Sequence, residues 1–261
     1  MILEDRVAIV TAGGGPGMGR AISLALAKEG ASVVVAEIDP GRARETVMAV
    51  EGLGGGALAA PTDVSDKAQV TRMVEQAAER FGRIDVLINH AGILTAGKSV
   101  EKMPEEHWDR ALAVHLKGAF LCSQAVIPHM RRGGWGRIVN TSSRAAYRPT
   151  VKGLAEYATA KAGLIGFSRA LAMELGRFGI TVNCVAPGLV SGGGMGLEVG
   201  RGMRSPEERE KAVAGEGQLI EPFREVRPDE IAGAVLYLVG PAGDRVTGTV
   251  MHVNGGSYLP A

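Results

Sequence analysis

Short apolar runs alternate along this chain with stretches in which apolar residues recur every three or four positions. The runs read as buried strands and the periodic stretches as amphipathic helices. "RVAIVT" (6–11) predicts a first strand, and "GRAISLALAKEG" (19–30) a helix that stops at Gly30. "SVVVAE" (32–37) predicts a second strand, "GRARETVMAVEG" (41–52) a helix, and "GALAAPTDV" (56–64) a strand with its exit loop. A helix over 66–82, a strand over 84–92, and one long helix or two over 104–132 follow. The pattern continues with a strand over 137–143, a long helix over 153–179 and a strand over 180–188. "RPDEIAGAVLYLVG" and "GTVMHVNGG" supply a last helix and a last strand.

Strands that are apolar throughout, separated by helices, imply a parallel sheet covered on both faces. Right-handed crossovers make this a doubly wound α/β fold, with a mostly seven-stranded parallel sheet of Rossmann type in one domain over 1–261. Its ligands are expected beyond the carboxyl ends of the strands. The Gly-rich, charged segment 191–223 breaks the rhythm, and its length points to a mobile lid over the site. Met195, Leu197, Met203, Leu219, Ile220 and Phe223, with Tyr147 and Leu154, would give that site partly apolar walls.

Charge and composition narrow the partners. Lys and Arg number 29 against 28 Asp and Glu, so no basic excess suggests nucleic acid. Cys122 and Cys184 stand far apart, form no metal-ligand spacing, and suit a reducing compartment. "MILEDRVAIV" carries acids where a secretory signal needs a basic start, and no uninterrupted apolar run approaches a membrane span. The "NTS" at 140–142 is therefore read as a chance sequon. A cytoplasmic protein acting on a small molecule, without metal, membrane or nucleic acid, is expected.

Two local patterns carry chemistry. "TAGGGPGMGR" (11–20) puts Gly13, Gly17 and Gly19 at a strand-to-helix turn, where bare backbone lets a pyrophosphate approach the helix N-terminus. Glu37 ends the second strand, 18 residues after Gly19, placed to accept from ribose hydroxyls and to repel a 2′-phosphate. Pro16 before Gly17 offers no cation to such a phosphate, so NAD (NADH) is expected over NADP. "EYATAK" (156–161) sets Tyr157 and Lys161 four apart on one helix face. An ammonium there favours the phenolate and suits the pair to exchange a proton with an alcohol or carbonyl. Ser142 or Ser143, at the end of the preceding strand, could donate to a substrate oxygen.

Taken in order and spacing, the glycine turn, "TDV" at 62–64, "NHAG" at 89–92, Ser143, Tyr157, Lys161, Asn183 and Pro187–Gly188 resemble the short-chain dehydrogenase/reductase family over nearly the whole chain. The resemblance implies interconversion of a secondary alcohol and a ketone by direct hydride transfer. Tyr157 would be acid or base, Ser143 would hold the substrate oxygen, and Lys161 would lower the tyrosine pKa and bond the nicotinamide ribose. It implies a dinucleotide site built from Gly13, Gly17, Met18, Gly19, Glu37, Asp63, Val64, Asn89, Ala91, Gly92, Tyr157, Lys161, Pro187, Gly188 and Val190, with Asp63 at the adenine. It also implies a homo-oligomer, tetramer or dimer, pairing the helices near 104–132 and 153–177.

The chain departs from the family pattern at four places. The glycine turn is one residue longer than usual when Thr11 is aligned, or puts Ala12 where a threonine is usual when the later glycines are aligned; Ser143 lies 14 rather than 13 residues before Tyr157, and Gly192, with Ser191 beside it, replaces a threonine after Pro187–Gly188. In "AVHLKG", His115 stands where relatives have an asparagine that holds a helix irregularity and a water serving the lysine. Imidazole both donates and accepts, so His115 is a candidate for that relay and equally for a hydrogen-bonded core residue. Two competing readings remain open: a nucleotide-binding sensor or scaffold with lost or altered catalysis, and an enzyme of this fold doing epimerisation or elimination.

Overall fold

A computed structural model describes residues 1–95, 97–149, 152–191 and 225–259. The strands are β1 (Val7–Thr11), β2 (Ser32–Glu37), β3 (Ala57–Pro61), β4 (Val86–Asn89), β5 (Gly136–Thr141), β6 (Ile180–Pro187) and β7 (Val250–Val253). They form one seven-stranded sheet in the order β3-β2-β1-β4-β5-β6-β7, and every pairing is parallel. The sheet expected from the apolar runs is therefore the sheet observed.

The two faces are covered by different helices. On one lie α1 (Met18–Lys28), α2 (Pro40–Glu51) and α7 (Pro228–Val239). Their Ile22, Leu26, Val50, Ile231 and Val235 pack on Val10, Val33, Val35 and Ile88 of the strands. The other carries α3 (Lys67–Phe81), α5 (Gly118–Gly133) and α6 (Ala155–Leu175), whose Met73, Leu121, Val126 and Leu171 meet Ile9, Val34, Leu87 and Ile138. Alternate strand residues thus feed two separate cores.

Local signals set the boundaries. Asp39 and Asp66 cap α2 and α3, each accepting from two backbone N–H groups of the first turn. Gly82 ends α3 in the left-handed conformation (φ 77°). Between 104 and 132 the structure has one helical stretch, not two. It comprises α4 (Glu105–Leu112), a π turn over Ala113–Lys117, and α5. By length and mean hydropathy (1.3), Glu105–Gly133 could cross a membrane, a point missed by counting uninterrupted apolar runs. Here Val114, Leu121, Cys122, Val126 and Met130 are core residues of the sheet. Asn140 of the chance sequon is fully buried. The expected lid lies outside the described residues, apart from Ser191.

Candidate active site

The order of the sheet reverses between β1 and β4, and the carboxyl ends of these strands open a crevice. The glycine turn enters it from β1. A Cβ on Gly19 would stand 2.0 Å from the Ala12 carbonyl oxygen, and one on Gly13 would stand 2.9 Å from Ser23 Oγ. Ala12 has φ 52°, a left-handed conformation rare outside glycine, so the unusual residue in the turn also bends it. At the start of α1, Gly17 gives no side-chain cap and the first turn holds no acid. The free N–H groups and dipole of that helix therefore face the crevice without a competing anion. This cradle fits a pyrophosphate.

Glu37 is buried, and its carboxylate accepts from Gly14 N at 3.3 Å and Asp39 N at 3.4 Å. It closes the glycine loop against the start of α2. Asp63, expected at the adenine, is bound on both oxygens. Oδ1 accepts from Ser65 N and Oγ, and Oδ2 from Arg110 Nη2 at 3.1 Å. Burial pushes its pKa up, but these bonds outweigh burial and hold the carboxyl below its ordinary value. Val64 is buried against Gly118.

The end of β4 is organised by Thr11, a residue the motif reading did not single out. Its Oγ1 accepts from His90 N at 2.9 Å and Ala91 N at 3.0 Å. Asn89 turns inward, donating from Nδ2 to Asn140 Oδ1 at 2.8 Å and Ser123 Oγ at 3.2 Å. It supports the crevice floor from within the core. Gly92 is required by His115, since a Cβ there would lie 2.5 Å from the imidazole Cε1. Gly188, after Pro187, packs as closely on the Asn254 backbone, and Val190 bridges to Val226.

Ser143, Tyr157 and Lys161 come together beyond β5. Ser142 is excluded as the donor to a substrate oxygen because its hydroxyl is given to the Lys161 carbonyl at 2.8 Å. The Ser143 hydroxyl lies near the Tyr157 phenol, so the additional residue between them is absorbed by the intervening loop. Burial raises the Tyr157 pKa, and the Ser143 hydroxyl pulls it partly back. Lys161 Nζ donates to the Thr141 carbonyl at 2.7 Å and lies 5.6 Å from the tyrosine ring centroid. Burial brings its pKa down to about 8. Its ammonium is held by Thr141 and lies over the face of the tyrosine ring.

His115 belongs to this cluster. It lies in the π turn, the irregularity expected at this position, with its ring edge-on to Tyr157 at 5.2 Å between centroids. Burial, and then the Lys161 charge, bring its pKa down to about 3. It is thus a neutral ring at physiological pH rather than a group titrating near 7. His90, opposite Thr141 Oγ1 at 3.3 Å, is brought down to about 4 by burial and the same lysine. No cluster of metal-ligating side chains occurs among the described residues.

Comparison with known proteins agrees with this geometry. A family model described as enoyl-(acyl carrier protein) reductase matches residues 13–258. The chain is 42% identical to (2S)-[(R)-hydroxy(phenyl)methyl]succinyl-CoA dehydrogenase subunit BbsD of Thauera aromatica, covering 99% of each protein. It belongs to the short-chain dehydrogenase/reductase family. The 3-oxoacyl-[acyl-carrier-protein] reductase FabG of Thermotoga maritima is 37% identical over 99% of this chain and 100% of that protein. The crystal structure of levodione reductase superposes with a TM-score of 0.89 at 33% identity, covering 97% of this chain and 98% of that one. As a short-chain dehydrogenase/reductase, the protein is an oxidoreductase acting on an alcohol or ketone of a small-molecule substrate.

Three residues of the dehydrogenase site carried no distinct signal in the sequence. Thr11, Thr141 and Asn140 act through a hydroxyl, a carbonyl and an amide directed into the fold. The register of β1, β4 and β5 was needed to bring them together.

Proposed function

We propose that the protein is an NAD(H)-dependent dehydrogenase/reductase that interconverts a secondary alcohol and a ketone, with Tyr157 as the acid and base. The observation that carries this reading is the convergence of Ser143, Tyr157 and a buried Lys161 at the mouth of a glycine cradle. In carbonyl reduction, Tyr157 gives its proton to the developing alkoxide while Ser143 donates to the same oxygen. The high pKa of the buried phenol keeps that proton on tyrosine until the alkoxide forms. In oxidation Tyr157 accepts the alcohol proton as its phenolate, the form that rising pH populates.

A nicotinamide dinucleotide supplies or takes the hydride when bound. Gly13, Gly17, Gly19 and the N-terminus of α1 would hold its pyrophosphate, Glu37 the adenosine ribose, and Lys161 the nicotinamide ribose. Glu37 supports NAD: a buried carboxylate at the end of β2 accepts ribose hydroxyls and repels a 2′-phosphate. Two relatives are named for thioester-borne hydroxy and oxo groups, and one for levodione. The decisive experiment follows NADH and NADPH oxidation with 3-oxoacyl-CoA thioesters, levodione and simple ketones, using Tyr157→Phe as control. Turnover with NADH that is lost in the variant is expected. Dinucleotide binding with no carbonyl turned over would favour a sensor or scaffold, and tighter NADPH binding would overturn the cofactor preference.

The same reading includes a homo-oligomer. Leu112, Leu116, Phe120 and Phe167 line an open apolar groove along α4, α5 and α6, and Phe120 is 44% exposed. A second copy pairing these helices would cover it. Phe120→Arg should move the elution volume towards the monomer. A wild-type protein that elutes as a monomer at micromolar concentration would refute the assembly.

A further inference from the structure

Beneath the site, the sheet register lines up Asn89, Asn140 and Cys184 on neighbouring strands. Asn89 Nδ2 donates to Asn140 Oδ1 at 2.8 Å, Asn140 Nδ2 to Ser168 Oγ at 2.7 Å, and Ser168 Oγ to the Leu164 carbonyl at 2.7 Å. All three donors run the same way, from β4 to β5 and on into α6. At the near end, Asn89 Oδ1 is buried and receives no hydrogen bond among the described residues.

The His115 ring ends in the same condition. Its Nε2 lies 2.8 Å from the Ile93 carbonyl oxygen and 3.2 Å from Ile93 N. A nitrogen of a neutral ring can serve only one of these, and the shorter contact requires Nε2–H donating to the carbonyl. That leaves Nδ1 as a bare acceptor, and Nδ1 is buried without a partner. Asn89 and His115 both line one small cavity, shared with Thr11, Ala91, Val114 and Gly118, with about 10 Å³ in which a water centre can lie. That is room for a single water. Two acceptors and no donor are the partners that a water, with two O–H groups to give, satisfies together.

We propose that one buried water in this cavity donates to Asn89 Oδ1 and His115 Nδ1, and thereby holds His115 as a fixed Nε2–H imidazole that positions Tyr157 instead of carrying protons. The proposal rests on the reading of Tyr157 as the acid and base. The titratable groups around the ring act in the same sense. The Lys161 ammonium disfavours a second positive charge, and His90 and Tyr157 offer no anion. The clamped imidazole braces the tyrosine ring from the side, so the phenol keeps its place beside Ser143.

Imidazole ¹⁵N spectra of the labelled full-length wild type test this without a variant. His115 is expected to show a protonated Nε2 and an unprotonated Nδ1 at every pH from about 5.5 to 9. A water oxygen is expected within hydrogen-bond distance of both Asn89 Oδ1 and His115 Nδ1 in a high-resolution crystal structure. An Nδ1–H ring, an imidazolium in that range, or a dry cavity would overturn the proposal. Kinetics add a second arm. His115→Phe should lower kcat by about tenfold to a hundredfold, with KM and dinucleotide affinity unchanged. His115→Asn, which keeps a donor for Ile93, should recover most of the loss. A limb of the wild-type pH–rate profile that disappears in His115→Asn would show proton transfer by His115 and sink the positioning role. Absence of any carbonyl turnover in the wild type would fail the functional reading alone, because the spectra decide the water bridge independently.

Discussion

The two ends of the crevice are built from different materials. Around β1 and β2 the protein presents backbone: glycines whose missing Cβ atoms make room, a helix start without a side-chain cap, and one buried carboxylate tying the loop together. Around β4, β5 and α6 it presents side chains, threaded through hydrogen bonds that reach deep between sheet and helices. The first end is exacting about volume, because any added atom meets a carbonyl or an adjacent helix. The second is exacting about donors and acceptors, and tolerates a change of residue when the new group can be paired. Histidine in place of the family asparagine at 115 belongs to this second kind.

If the catalytic end works through a single phenolic proton, its removal should give the largest effect of all. Tyr157→Phe keeps the ring against His115 and deletes only the hydroxyl. Turnover should fall by about 10²- to 10⁴-fold, the range typical of general acid–base catalysis. Dinucleotide affinity, read by fluorescence titration, should stay within a factor of about two. Parallel losses of turnover and binding would show that the two ends are not separable.

At the nucleotide end the corresponding test adds atoms. A methyl group on Gly19 would stand 2.0 Å from the Ala12 carbonyl oxygen, so the turn must move. Overpacking of this kind costs about 1–3 kcal/mol. Gly19→Ala should therefore weaken dinucleotide binding by about ten- to a hundredfold. Any turnover remaining at saturating dinucleotide should be close to wild type. Unchanged affinity would mean that the cradle is softer than its contacts indicate.

The contrast also explains what was legible in the sequence. The parallel sheet, both helix layers and the glycine turn followed from periodicity and glycine spacing, because volume and backbone freedom are written locally. Tyr157 and Lys161 were legible for the same reason, being four apart on one helix. The lysine's real partner was not, because Thr141 offers a backbone carbonyl that any residue would have. The choice of Ser143 over Ser142 depended on which hydroxyl faces α6, and the Asn89–Asn140 row on strand register.

Burial of Lys161 gives the catalytic end a stability signature in alkali. With a pKa near 8 in the fold against about 10.4 unfolded, the unfolded chain binds more protons in between. The lysine's own contribution should therefore rise with pH above 8. The buried thiols act in the opposite sense, because Cys122 and Cys184 are raised to about 12 and about 11 and keep protons that the unfolded chain loses. Two thiols outweigh one lysine above about pH 9, so stability should fall there, and the lysine shows as a shallower fall between about pH 8 and 10 than the thiols alone would give. The Lys161→Met variant should fall more steeply over that range in urea titrations, and equal slopes in the two proteins would show that Lys161 makes no such contribution.

The smallest predicted effect isolates His115 itself. Its pKa near 3 in the fold, against about 6.5 unfolded, means that acid protonates the unfolded chain first. His90, near 4, behaves alike. Stability should therefore be fully present above about pH 6.5 and be lost as pH falls towards 4. His115→Asn removes one of these two protons while leaving the carboxylates common to both proteins. The difference in unfolding free energy between wild type and variant should change by at most about 1.4 kcal/mol per pH unit between roughly pH 4.5 and 6. The variant should have the shallower slope. Equal slopes would mean that His115 takes up a proton in the folded protein, which a ring clamped between Ile93 and a donating water cannot do without breaking that clamp.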